Sequence, residues 1–374
     1  MRVLVTGGAG FIGWRLVNRL AAAGHRVEIV DSLLEQVHGA AARLPDCSGS
    51  IRTTRMDLRD RPRLEELLRT RFDVVYHLAA MTGVGQSMYQ IHEYVDVNCG
   101  GTAALMQAVV QAGKPYPRVV LASSRAVYGE GGARCSSCGR EFFPAARALE
   151  RLGRHSWEHP CPGCGADSAP LPCHEGTPTN PSSVYGVTKL NQEQICRVVG
   201  EAYGVSVIIL RYFNVYGPGQ SPLNPYTGIL SIFSRRLFHR QSIEIYEDGR
   251  ETRDFVYIDD VVSANVLAGT AAVAGTYNVC SGEPRTVHEV ALLLRGLHPG
   301  GGDVVVSGKY RVGDVRHGLG TWERAAQTFG FAPRVTLEAG LRKLLAWLTE
   351  QVVRTDADVD RTAEAELAKR CLLR

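Results

Sequence analysis

Arg2-Val3-Leu4-Val5-Thr6-Gly7-Gly8-Ala9-Gly10-Phe11-Ile12-Gly13 is an apolar strand that runs straight into a glycine-rich turn. An amphipathic helical pattern follows it to about Ala23. Gly7, Gly10 and Gly13 stand at G-x-x-G-x-x-G spacing. The first permits a tight turn, the second lets a pyrophosphate approach the backbone, and the third lets the helix pack on the strand. Free amides at the helix N-terminus suit phosphate. A second strand, residues 26–30, ends in Asp31, placed where a carboxylate accepts from adenosine ribose hydroxyls. That charge would repel the extra phosphate of NADP, so the stretch predicts an NAD site.

Further apolar segments follow at residues 51–56, 72–78, 119–122, 205–211 and 277–280, with a helical pattern at 94–112 that contains Asn98. Such alternation implies a parallel, doubly wound sheet of the Rossmann type. Asp57 and Leu58 follow the third strand and are placed to bound an adenine pocket. Ala79 and Ala80 follow the fourth, small enough to let a cofactor lie close. Asp259 or Asp260 opens a later helix and is read as its N-cap.

Tyr185-Gly186-Val187-Thr188-Lys189 puts a phenol and an ammonium four residues apart, on one face of a helix. A nearby positive charge favours the phenolate, and such a phenol can take a proton from a sugar or alcohol hydroxyl.

With 374 residues and 45% hydrophobic content, the chain can bury one large core or two moderate ones. The formal charge of +4 comes without a long basic run, which argues against nucleic acid and anionic membrane as partners. No secretory leader or membrane-length apolar run is read, so a soluble cytoplasmic protein is expected. Four of the ten cysteines form two C-x-x-C-G knuckles, Cys135 with Cys138 and Cys161 with Cys164. Two knuckles match a zinc ribbon, in which four thiolates hold a structural zinc with no open position for catalysis. Cys173, His155, His159 and His174 lie nearby but lack knuckle spacing.

Together, TGGAGFIG, HLAA, SSRAVYG, YGVTK and RYFNVYGPGQ resemble the extended short-chain dehydrogenase/reductase family in its nucleotide-sugar branch. The resemblance covers roughly residues 1–130 and 175–350. It implies a catalytic set of Ser124, Tyr185 and Lys189, an asparagine at Asn98 near the lysine, and cofactor contacts from Phe11 and Ile12. It also implies substrate contacts from Asn214 and from two diphosphate arginines, Arg253 and Arg311, with Arg125 as a further candidate. Dehydratases of the family carry two acids after the catalytic hydroxyl, and decarboxylases keep one; here Arg125 and Ala126 occupy those places. Their absence favours 4-epimerisation, which needs only the tyrosine and NAD. The cysteine knuckles resemble members acting on a dTDP-6-deoxyhexose such as dTDP-L-rhamnose. A 4-ketosugar reductase, epimerases of UDP-hexoses, uronates or heptose nucleotides, and a silent nucleotide sensor are the alternatives. A homodimer through the helices of Asn98 and Tyr185 is implied.

The expected organisation is an NAD-binding unit at 1–129, resumed at 175–210 and 253–280, with the zinc-ribbon insertion at 130–174. A smaller substrate-binding domain is expected at 211–252 and 281–352, then a charged tail without assigned function at 353–374.

Overall fold

The computed structural model describes residues 1–39, 42–44, 49–221, 224, 226, 228–298, 300–351 and 359–374. Its centre is a seven-stranded parallel sheet. From edge to edge the strands are Gly275–Val279, Val207–Tyr212, Arg118–Ser124, Val74–His77, Arg2–Thr6, Arg26–Asp31 and Ile51–Arg55. Period-two alternation divides each strand between two cores. Val3, Val5, Val120, Ile208 and Leu210 enter one; Leu4, Val119, Leu121, Val207 and Ile209 enter the other. Helices Phe11–Ala22 and Ile258–Thr270 cover the first face. Arg61–Arg69, Gly101–Gln111 and Val184–Tyr203 cover the second. The sheet is therefore doubly wound, and its strand ends converge on the cavity described below.

Three readings change here. The helix expected over 94–112 is interrupted by a π-helical turn, Val95–Gly100, which contains Asn98. Thr252–Tyr257 does not return to the main sheet. It pairs in parallel with Asn214–Tyr216 and antiparallel with Pro284–Thr286, because the smaller unit needs a partner for its own short strands. Neither Asp259 nor Asp260 caps its helix, since Tyr257 holds the N-cap position. Asp259 instead pairs with Arg15 at 2.7 Å, and Asp260 accepts from the Val335 backbone. Both still sit in the first turn, where the helix dipole favours negative charge.

The insertion forms a three-stranded antiparallel sheet of Glu141–Phe142, Gly132–Cys135 and Ser168–Leu171. It does not stand free of the rest. Leu152 and Trp157 pack on Tyr310, and Cys173 bridges to Gly320. The segment read as a charged tail contains a helix, Val359–Lys369, with Ala363 and Leu367 buried. No helix among the described residues is long and apolar enough to cross a membrane.

Candidate active site

A cavity of about 640 Å³ runs from the glycine turn to the smaller unit. At one end, Gly7 adopts φ +70°, and a Cβ there would lie 2.7 Å from the Ala79 nitrogen. A Cβ on Gly13 would meet the Gly7 carbonyl oxygen at 2.2 Å, so helix and turn approach as closely as backbones allow. Gly10, Phe11 and Ile12 line the same cradle. Asp31 is buried where it accepts from Ala9 N at 3.0 Å and Leu33 N at 2.9 Å. Asp57, Leu58, Ala79 and Ala80 also line the cavity. Arg59 joins them, its guanidinium held between Asp57 and Asp96. Its side chain has no motif around it, and the sequence offered no signal for it.

The strand Arg118–Ser124 delivers Ser124 to the middle of this cavity, and the helix Val184–Tyr203 delivers Tyr185 and Lys189 beside it. Ser183 caps that helix by accepting from Gly186 N at 3.1 Å. The Ser87 hydroxyl accepts from Tyr185 N at 3.0 Å. Burial pushes the Tyr185 phenol up to about 12, while a hydrogen bond with Ser124 works the other way. Burial pushes Lys189 down to about 8, against the attraction of Glu193. Its Nζ donates to the Ala122 carbonyl at 2.9 Å and lies 6.0 Å from the Tyr185 ring centroid. At this phenol desolvation therefore outweighs the hydrogen bond with Ser124.

Behind these residues lies a hydrogen-bonded support. Asn98, expected to contact cofactor, is fully buried and does not line the cavity. The π turn points its side chain at Met81 and Thr188: Oδ1 accepts from Met81 N at 2.7 Å, and Nδ2 donates to Thr188 Oγ1 at 3.0 Å. It therefore locks the catalytic helix to the loop after the fourth strand. Arg211 makes a two-pronged contact with Glu193 at 2.9 and 2.6 Å, and Glu193 accepts from Ser123.

At the far end the cavity is lined by Arg125, Asn214, Arg253 and Arg311. Arg125 is buried, not solvent-facing; one amino group donates to the Gly129 carbonyl at 2.6 Å. Its Nε, the Arg311 Nε and the Asn214 Oδ1 are buried with no hydrogen-bond partner among the described residues, the state expected of groups that await a polar ligand. Arg253 is fixed by the carbonyls of Thr252, Val315 and Arg316. Sequence reading missed Tyr226, Asp314, Glu364 and Leu367, all of which line this end. Asp314 stands three residues after Arg311; the others belong to segments without periodic or motif signal.

The four knuckle sulfurs lie within 4.8 Å of one another. Cys135 and Cys164 are 3.4 Å apart, Cys138 and Cys161 3.7 Å, and Cys138 and Cys164 3.8 Å. Thiolates about 2.3 Å from a tetrahedral zinc stand roughly 3.8 Å apart, so the set fits that ion. Backbone N–H groups of Cys138 and Gly163 point at the Cys135 and Cys161 sulfurs, both at 3.3 Å. Cys173 packs instead with Val127, Tyr128 and Phe213, and His159 faces Glu130 at 3.3 Å. Neither reaches the cluster.

The NAD dependent epimerase/dehydratase family matches residues 3–147 and 164–280. The dTDP-L-rhamnose 4-epimerase of Burkholderia thailandensis is 37% identical over 356 residues, covering 94% of this chain and 96% of that one. Among solved structures, MoeE5 in complex with UDP-glucuronic acid and NAD is 32% identical with a TM-score of 0.75, over 94% of this chain and 100% of MoeE5. UDP-glucose 4-epimerase of Thermus thermophilus, in complex with NAD, gives 28% and 0.73 over 93% and 99% of the two chains. The chain belongs to the NAD dependent epimerase/dehydratase family, as an extended short-chain dehydrogenase/reductase whose relatives include nucleotide-sugar 4-epimerases.

Proposed function

We propose that the protein is an NAD-dependent nucleotide-sugar 4-epimerase acting on a dTDP-6-deoxyhexose such as dTDP-L-rhamnose. The observation that carries this reading is the convergence of Ser124, Tyr185 and Lys189 on one cavity wall, while the Arg125–Tyr128 turn after Ser124 brings no carboxylate. Gly7, Gly10 and Gly13 would hold NAD along the cradle, where it would supply a hydride acceptor and donor for the sugar C4 and a positive charge near the buried phenol. Tyr185 takes the proton of the sugar 4-hydroxyl and later returns it. Ser124 hydrogen-bonds the reacting oxygen, and Lys189 favours the phenolate. Arg253, Arg311 and Asn214 hold the diphosphate, guanidinium forks being suited to phosphate oxygens. The sugar turns about its diphosphate link to present its other face at C4, so configuration inverts and no net redox change results.

The test is to incubate the protein with dTDP-L-rhamnose, UDP-hexoses and UDP-uronates and to resolve products by NMR. Tyr185→Phe is expected to lower turnover about a hundred- to ten-thousandfold, the range for loss of a positioned proton carrier. NAD should still co-purify. Near-normal turnover in that variant, or stoichiometric consumption of NADH by wild type, would overturn the reading.

The knuckle cysteines are proposed to hold one structural zinc. Metal analysis should find about one zinc per chain in wild type, and Cys161→Ser should lose it. The helices carrying Asn98 and Tyr185 are proposed to form a homodimer face.

A further inference from the structure

Beyond the first two residues, two stretches of the chain fall outside the family match: residues 148–163 and everything after 280. The end of the second, 359–374, places Ala363, Glu364 and Leu367 in the wall of the cavity that also contains Tyr185. Its last residues add an edge to the segment carrying Arg311. Tyr310 N donates to the Arg374 carbonyl at 2.7 Å, Arg374 N to the Tyr310 carbonyl at 3.0 Å, and Val312 N to the Leu372 carbonyl at 2.9 Å. Arg311 is thereby bracketed on both sides by backbone bonds to the end of the chain. Its guanidinium lies 4.8 Å from the centroid of the Tyr246 ring, and the Tyr246 hydroxyl donates to Glu364 at 3.3 Å. Arg236 also lies against Glu364, at 3.6 Å. One turn further along the same helix, Leu367 packs over Gly85, where an added Cβ would meet its Cδ2 at 3.3 Å. Arg370 stacks on Tyr89 at 4.4 Å, and Tyr89 hydrogen-bonds Tyr226 across the cavity rim.

Taking the pocket to hold a sugar nucleotide, as proposed above, we infer that residues 359–374 complete it, with Glu364 a positioning residue that sets the Arg311 guanidinium for the diphosphate through Tyr246. Three features point the same way. The Arg311 Nε is buried without an acceptor among the described residues, so this guanidinium retains capacity for an anion. A cation resting on an aromatic face gains from a ring whose hydroxyl is held in place. A guanidinium recognises phosphate through its fixed fork, so its orientation governs affinity. Glu364 does not touch the reacting carbon, and its loss should change how the substrate is held more than how it reacts.

The test reads binding without turnover. Calorimetric affinities for dTDP and UDP are measured on wild type, Glu364→Ala, Tyr246→Phe, Arg311→Ala and the Glu364→Ala/Arg311→Ala pair. Loss of one hydrogen-bonded support to a charged group corresponds to about a tenfold weaker affinity. That loss is expected in Glu364→Ala and in Tyr246→Phe, which keeps the ring and guards against a folding failure of the first variant. The Glu364→Ala effect should vanish in the Arg311→Ala background, and a rise in KM should exceed any fall in kcat. Retained NAD shows that the dinucleotide unit is intact. Unchanged affinity in both single variants, or an undiminished Glu364→Ala effect without Arg311, would overturn the inference. Wild type that binds dTDP or UDP but epimerises nothing would overturn the epimerase reading and not this one. Wild type that binds neither would overturn both.

Discussion

Burial pushes Tyr185 up to about 12 and Lys189 down to about 8. Each shift penalises the charged form alone, yet phenolate and ammonium together, with a cationic ring beside them, form a compensated set. The cost to Lys189 has a measurable sign. In the cofactor-free protein the folded lysine gives up its proton near pH 8, whereas the unfolded one holds it to 10.5. Between those values the unfolded chain binds more protons, so this group makes stability rise with pH. Lys189→Met removes the burden, apart from a pH-independent loss of the Ala122 hydrogen bond. Its stability relative to wild type should therefore decline by on the order of 3 kcal/mol between pH 8 and pH 10.5. Thermal melts of the two cofactor-free proteins across that range check it; a flat difference would place the Lys189 proton elsewhere. At this scale the sequence points to residues that line the cavity, as at Gly7, Asp31 and Tyr185. It misled at Asn98, because only the π turn reveals that the amide faces Met81 and Thr188 and not the cavity.

The insertion is an element whose sequence declares its two cysteine knuckles but not its seat. Arg147 meets Glu247 through two bonds of 2.8 and 2.7 Å, and Glu158 meets Arg316 at 2.6 Å and His317 at 3.0 Å. The carbonyls of Val315 and Arg316 in turn hold the guanidinium of Arg253. Contacts therefore lead from the insertion to one end of the cavity, much as the segment 359–374 leads to Arg311. Partners such as Arg147 and Glu247 are far apart in sequence, and neither carries a pattern, so nothing in the chain announces the pair. Burial alone would raise the Glu158 carboxyl, but hydrogen bonds from His317 and Arg316 outweigh it and hold it at about 2. A depressed carboxylate contributes stability above its unfolded value of 4.5, and that contribution is lost as pH falls from there towards 2. Trp157 sits on Tyr310 at this seam, 6.1 Å between ring centroids, and reports on docking. Its fluorescence should change as pH falls through that window in wild type. Glu158→Gln should already show the altered signal at about pH 7, with little further change. A pH response of equal size in both proteins would remove Glu158 from the seam.

Across the whole molecule, the doubly wound sheet is legible because strands buried on both faces read as continuous apolar runs. The closure of the cavity is not, because the described side chains of the helix Val359–Lys369 bury just Ala363 and Leu367 among charged neighbours. Its partners at Gly85 and Tyr246 lie far upstream. The outer surface carries a further signal. Ile91 and Val95 are 52% and 44% exposed, and Val187 and Val198 51% and 53%. Single exposed aliphatics are ordinary, but these four lie on two abutting helical segments joined through Asn98 and Thr188. In each pair the spacing keeps both side chains on one helix face. A second copy packing its own matching face there would bury all eight, and the closed two-fold arrangement is the commonest way to do so. Because Tyr185 and Lys189 sit on the inner face of the same helix, the dimer would also stiffen the wall that carries the chemistry. Val95→Asp combined with Val187→Asp places four unpaired carboxylates in that interface and should leave a monomer in light scattering at concentrations where wild type is a dimer. The substituted positions face away from the cavity, so NAD should remain bound in the monomer, with turnover reduced. A wild-type monomer, or a doubly substituted protein that stays dimeric, would mean that these helices are not the contact.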